Sequence, residues 1–133
     1  GYETVYAFKV PKDTAKNKLI VEFHNYSPAN FTGVGGDTYT KDWIETGYDV
    51  QIESELKIVY DRFSSENIPI ILGELGSIDK NNTADRVKHA QTFRKYADNY
   101  DILLIWWDNG GDFKIFNRNG TQAFPEIIKA LVK

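Results

Sequence analysis

Three short segments end in side chains that a hydrophobic core would not select: His24-Asn25-Tyr26, Glu74 between Gly73 and Gly76, and Trp107-Asp108-Asn109. Glu74 follows a nearly continuous apolar run and sits among glycines, which suits a carboxylate presented for acid, base or nucleophilic chemistry. An ionised carboxylate at a strand end needs hydrogen-bond donors, and the Tyr26 hydroxyl could supply one. The plainer reading pairs Glu74 with a Lys or Arg, or lets it emerge into solvent. His24, taken alone, reads as a structural residue as readily as a substrate contact. Of Trp106 and Trp107, alternation along a strand sends one ring toward the site and the other toward a helical layer. An exposed Trp at a carboxylate-bearing rim suits the flat apolar face of a pyranose ring.

These residues need a scaffold that brings three chain segments to one rim. Residues 19–24, 69–74 and 102–107 are apolar runs without strict alternation, the pattern of strands covered on both faces as in parallel sheets. Between and after them lie helical patterns. Ile52, Leu56, Val59, Tyr60 and Phe63 make one apolar helix face between Tyr48 and Ser65. Asn82-Thr83 reads as the cap of a second helix, lined by Val87, Ala90, Phe93 and Ala97. Pro125 opens a third, with Ile127, Ile128, Leu131 and Val132 inward. The order β-α-β-α-β-α predicts an α/β fold with adjacent parallel strands joined by right-handed crossovers. Neighbouring strands lie about 4.8 Å apart, so His24, Tyr26, Glu74 and Trp107 can meet at their carboxyl ends. The long segments Ser27–Gly47 and Gly110–Gly120 follow strand ends, where loops on α/β scaffolds carry function.

Composition narrows the classes. The 133 residues carry 16 Lys and Arg against 19 Asp and Glu, a net charge of −3 with no basic run, so no electrostatic footprint for nucleic acid is present. No stretch approaches the roughly 20 apolar residues that span a bilayer. There is no Cys, which removes disulfides and thiol nucleophiles, and two His without ligand spacing argue against a metal site. No cofactor is expected. The chain contains no Met and opens on Gly1-Tyr2, so it reads as an excised, processed or truncated piece. Its length allows one domain over residues 1–133 but not a complete eight-stranded α/β barrel, which needs roughly 200 residues or more.

Several motifs in order resemble glycoside hydrolase family five, the cellulase family. Pro69-Ile70-Ile71-Leu72-Gly73-Glu74-Leu75-Gly76 is similar to its nucleophile strand, and Val21-Glu22-Phe23-His24-Asn25-Tyr26-Ser27-Pro28 to its His-x-Tyr strand. Asp79-Lys80-Asn81-Asn82-Thr83, Trp106-Trp107-Asp108-Asn109-Gly110 and Phe124-Pro125-Glu126-Ile127 resemble its endoglucanase branch. The resemblance implies a partial TIM (β/α)8 barrel whose three parallel strands and helices match barrel units six to eight. It also implies a retaining endo-β-1,4-glucanase half-site: Glu74 as nucleophile, Tyr26 orienting it, His24 bordering the same subsite, and Trp107, Asn25 and Lys80 on the substrate. A secreted or cell-surface setting and a β-glucan or related polysaccharide substrate follow from the same resemblance.

Leu75 departs from the family's usual Phe. The larger departure is that the Asn-Glu-Pro motif bearing the family's general acid/base does not occur. Retaining hydrolysis uses two carboxyl groups about 5–5.5 Å apart, so the chain alone is expected to be inactive or very weak. Two alternatives stand beside this reading. One is a non-catalytic glycan-binding module stacking sugars on Trp43 and Trp107; the other is a folding or assembly fragment. A three-stranded piece of barrel is further expected to self-associate or to pair with a missing amino-terminal segment, because Val21, Ile71 and Ile105 would lack interior partners.

Overall fold

The computed structural model describes residues 2–34 and 40–132, so part of the Ser27–Gly47 segment lies outside the described residues. Strands β1 (Val21–His24), β2 (Ile70–Leu75) and β3 (Ile102–Trp106) form one parallel sheet in the order β1-β2-β3. Helix α2 (Glu45–Phe63) carries the chain from β1 to β2, and α3 (Thr83–Asn99) carries it from β2 to β3. A four-residue helix, α1 (Ala29–Thr32), follows β1, and α4 (Pro125–Leu131) follows β3.

The helices cover one face of the sheet. Ile70, Leu72, Leu75 and Ile102 project from it onto Ile52, Leu56, Val59 and Phe63 of α2 and onto Phe93, Tyr96 and Ala97 of α3. A smaller cluster of Ala90, Ile115 and Ile127, with Trp106 and Phe124 against it, seats α4. On the opposite face, Leu103 and Ile105 remain 56% and 47% exposed. This is the face that points inward in a closed barrel. Val21 is not on it: its side chain packs with the helical core, in register with Ile70. Expecting it inside the barrel put it on the wrong side of the pleat, whereas Ile71 and Ile105 do lie on the open side.

Two further details differ from the expected pattern. Asn82 holds the N-cap position of α3 without capping it, because its amide donates to the Lys41 carbonyl (2.8 Å) and its oxygen accepts from Lys80 N–H (3.1 Å). Val132 lies past the end of α4 and is exposed rather than inward.

Candidate active site

Register places His24 opposite Glu74. Pairing then continues past the strands, with Asn25 N–H donating to the Glu74 carbonyl (2.9 Å) and Trp107 N–H to the Leu75 carbonyl (2.8 Å). The carboxyl ends of all three strands therefore share one rim. The pairing slips between Leu72 and Leu75, a bulge at Gly73-Glu74. Such a bulge re-aims a side chain that strict alternation would turn the other way.

The Tyr26 hydroxyl donates to Glu74 Oε2 at 2.9 Å, within the range expected for a preformed site. His24 Nδ1 lies 3.2 Å from the same oxygen, and His24 Nε2 lies 2.8 Å from Glu22 Oε1. Burial holds the Tyr26 phenol well above the usual range, and its hydrogen bond to Glu74 and the charge of that carboxylate push the same way. Tyr26 is therefore a donor at any physiological pH.

The glycines around Glu74 have a steric reason. A Cβ on Gly73 would fall 1.8 Å from Glu22 Oε1, so the Glu22 carboxylate occupies the space a side chain would take. A Cβ on Gly76 would stand 2.9 Å from the Phe113 ring. Glu22 shares the open side of β1 with His24, two residues on. The same alternation that places His24 points to Glu22, although sequence reasoning did not single it out.

Trp107 is 44% exposed at the rim. Trp106 turns to the helical side, where its indole N–H donates to the Phe113 carbonyl (2.9 Å). The loop after Trp107 is held by Asp108, whose Oδ2 accepts from Ile115 and Phe116 N–H (both 2.9 Å) and whose Oδ1 accepts from Gly110 N–H (2.7 Å). Partial burial raises the Asp108 pKa, but these three donors and the Arg118 charge outweigh it and hold the carboxyl below its usual range. Asp108→Asn is therefore expected to speed hydrogen exchange at the Ile115 and Phe116 amides while leaving the α3 core amides unchanged. Equal protection in both chains would contradict the clamp.

Two of the expected contacts, Asn25 and Trp43, are buried away from the rim, and a third, Lys80, is held by a backbone carbonyl. Asn25 is 1% exposed; its amide donates to Glu55 Oε2 (2.9 Å) and its oxygen accepts from Ser27 N–H (2.7 Å), so it braces β1 against α2 and does not face the rim. Lys80 directs its ammonium to the Phe31 carbonyl and stands 4.9 Å over the Phe31 ring, where burial, then the Arg86 charge, lowers its pKa. Trp43 is 7% exposed, with its ring against Phe31 and Tyr48, and offers no stacking platform. Among the described residues, no three His, Asp or Glu side chains converge as a metal site, and no helix is long and apolar enough to cross a membrane.

A parallel α/β sheet with its polar and aromatic residues at the carboxyl-terminal rim is the arrangement of α/β-barrel enzymes. The comparisons give the family. Residues 1–113 match the cellulase family, glycosyl hydrolase family 5, and the chain belongs to it. It is 36% identical over 126 residues to the cellulase/esterase CelE of Acetivibrio thermocellus, covering 88% of this chain and 15% of that protein. It is 33% identical to endoglucanase B of Ruminococcus albus, covering all of this chain and 33% of that one. A broad-specificity endoglucanase from Ruminococcus champanellensis, solved with bound cellotriose, superposes with a TM-score of 0.86 at 35% identity, over 98% of this chain and 39% of its own. A lichenase from Caldicellulosiruptor sp. F32, solved with cellotetraose, gives 0.86 at 32% identity over 98% and 39%. The chain is thus a part of a glycoside hydrolase barrel and spans well under half the length of these relatives.

Proposed function

We propose that the chain carries the nucleophile half of a retaining endo-β-glucanase site. The observation that carries the reading is the state of one oxygen: Glu74 Oε2 meets both Tyr26 OH (2.9 Å) and His24 Nδ1 (3.2 Å), on the rim that also carries the exposed Trp107. Two contacts on Oε2 fix the carboxylate plane and leave Oε1 to attack. In the reaction, Oε1 forms a bond to the anomeric carbon as the bond to the leaving oxygen breaks and its electron pair departs with that oxygen. With a natural glucan the leaving oxygen must be protonated by a second carboxylic acid. This chain supplies none in an Asn-Glu-Pro setting, so by itself it turns over polysaccharide weakly or not at all. The relatives solved with cellotriose and cellotetraose support a β-glucan as the substrate class. A secreted or cell-surface setting is part of the same proposal and rests on the family resemblance alone.

The remaining units of a barrel, or further copies of this chain, would cover Leu103, Ile105 and the outer edges of β1 and β3. Sedimentation at micromolar concentration is expected to show association, and a well-folded monomer would contradict it. Titration with cello-oligosaccharide tests the site itself. Trp107→Ala should weaken binding by roughly tenfold, the scale of about 1.4 kcal/mol, while Glu74→Gln should bind nearly as tightly as the parent chain. A binding module would behave the same way in this assay, so the reading also requires Glu74 to react covalently.

A further inference from the structure

Tyr26 has one polar anchor at its hydroxyl, and a phenol held at one atom can still swing its ring. A second anchor comes from the far side of the rim. The Phe113 ring meets Tyr26 edge to face, with centroids 5.7 Å apart and planes at 77°. Phe113 is itself fixed from three directions. Its carbonyl accepts the Trp106 indole N–H (2.9 Å), its N–H donates to Asn109 Oδ1 (3.2 Å), and its ring fills the space left by the missing side chain of Gly76. The φ of Gly76 is not among the positive values, so the need for glycine there is one of room.

We infer that Phe113 is a positioning residue: it sets the Tyr26 ring so that the phenol meets Glu74, and Gly76 is glycine to let it. The loop after β3 then serves the site twice, through Trp107 on the sugar and through Phe113 behind the nucleophile. This rests on Glu74 being the nucleophile, but its test does not. The groups facing Tyr26 are Glu74 at its hydroxyl, with His24 on the same carboxylate oxygen, and the uncharged Phe113 ring.

The test is a coupling experiment on the full chain with 13C-labelled tyrosine, the Tyr26 signal being assigned by its loss in Tyr26→Phe. Its ionisation is followed above pH 9, with folding checked by circular dichroism at each pH. In the parent chain, Glu74→Gln should move the Tyr26 midpoint down, toward the ordinary phenol range. In Phe113→Ala the midpoint should already be lower, and adding Glu74→Gln should move it little further, because the contact is already lost. A ring that merely shielded Tyr26 from water would leave the Glu74→Gln shift intact. Gly76→Ala, which displaces the ring without removing it, should also abolish the coupling, and Phe113→Tyr should restore it. An undiminished Glu74→Gln shift in both Phe113→Ala and Gly76→Ala would overturn the inference, as would no shift in the parent chain. Failure of Glu74 to react with a glycosylating reagent would instead count against the nucleophile reading alone.

Discussion

On the proposed reading, Glu74→Gln is expected to remove essentially all hydrolysis from this chain when it is paired with an amino-terminal barrel segment that carries an acid/base Glu, such as one taken from a family relative. Losing a nucleophile that acts as a unit with its partners costs on the order of 10⁴- to 10⁶-fold in rate, far beyond the effect of losing a sugar contact. Gln keeps the shape of the side chain and can still accept from Tyr26, so folding and oligosaccharide binding should persist. An activated aryl cellobioside sharpens the result, because its leaving group needs little protonation. Slow release from it by the chain alone should vanish in Glu74→Gln. Tyr26→Phe should slow the same step while leaving a residue of activity, since the carboxylate remains.

The second large effect is on folding. His89 is fully buried on α3, with the rings of Phe31, Trp43, Phe93 and Trp106 around it. Burial lowers its pKa to about 3 from the ordinary 6.5; a backbone hydrogen bond with Ser27 opposes this, and the smaller effects of the Arg86 and Lys80 charges add to it. Between these values the unfolded chain binds a proton that the folded chain refuses. Its contribution is therefore complete above about pH 6.5 and is lost as pH falls toward about 3. The slope is about 1.4 kcal/mol per pH unit, so the whole window amounts to roughly 5 kcal/mol, comparable to the net stability of a small domain. Urea midpoints measured from pH 7.5 to 4.5 should fall steeply for the parent chain. They should fall more gently for His89→Gln, even though that variant starts lower. Parallel slopes would contradict the assignment.

Much of this was legible in the sequence because parallel strands are apolar on both sides and end abruptly. Ile70 to Glu74 and Ile102 to Trp107 show the boundary between scaffold and site within a few residues. Alternation also sorts the rim, since His24 and Tyr26 must share a side and Asn25 must take the other. That rule, applied to Asn25, turns it toward the helices, where it meets Glu55 of α2, a placement that the resemblance alone did not give. The bulge at Gly73-Glu74 was not legible, since the slip depends on both neighbouring strands at once. Helix α1 is too short to show a period. Arg86 and His89 lie on the buried side of α3, but a polar residue on an apolar face does not declare itself from spacing. Glu22 and Phe113 matter through the space two glycines leave, which appears only when the backbone is folded.

The central claim is that Glu74 is the nucleophile, and covalent trapping tests it most directly. The chain, alone and together with the segment that completes the barrel, is incubated with a 2-deoxy-2-fluoro cellobioside bearing a dinitrophenolate leaving group. Intact-mass measurement and peptide mapping follow. One fluorocellobiosyl group per chain, carried on the peptide containing Glu74 and absent from Glu74→Gln, is the result expected. A completed barrel that releases dinitrophenolate without a bound sugar, or that carries the sugar on another residue, would contradict it.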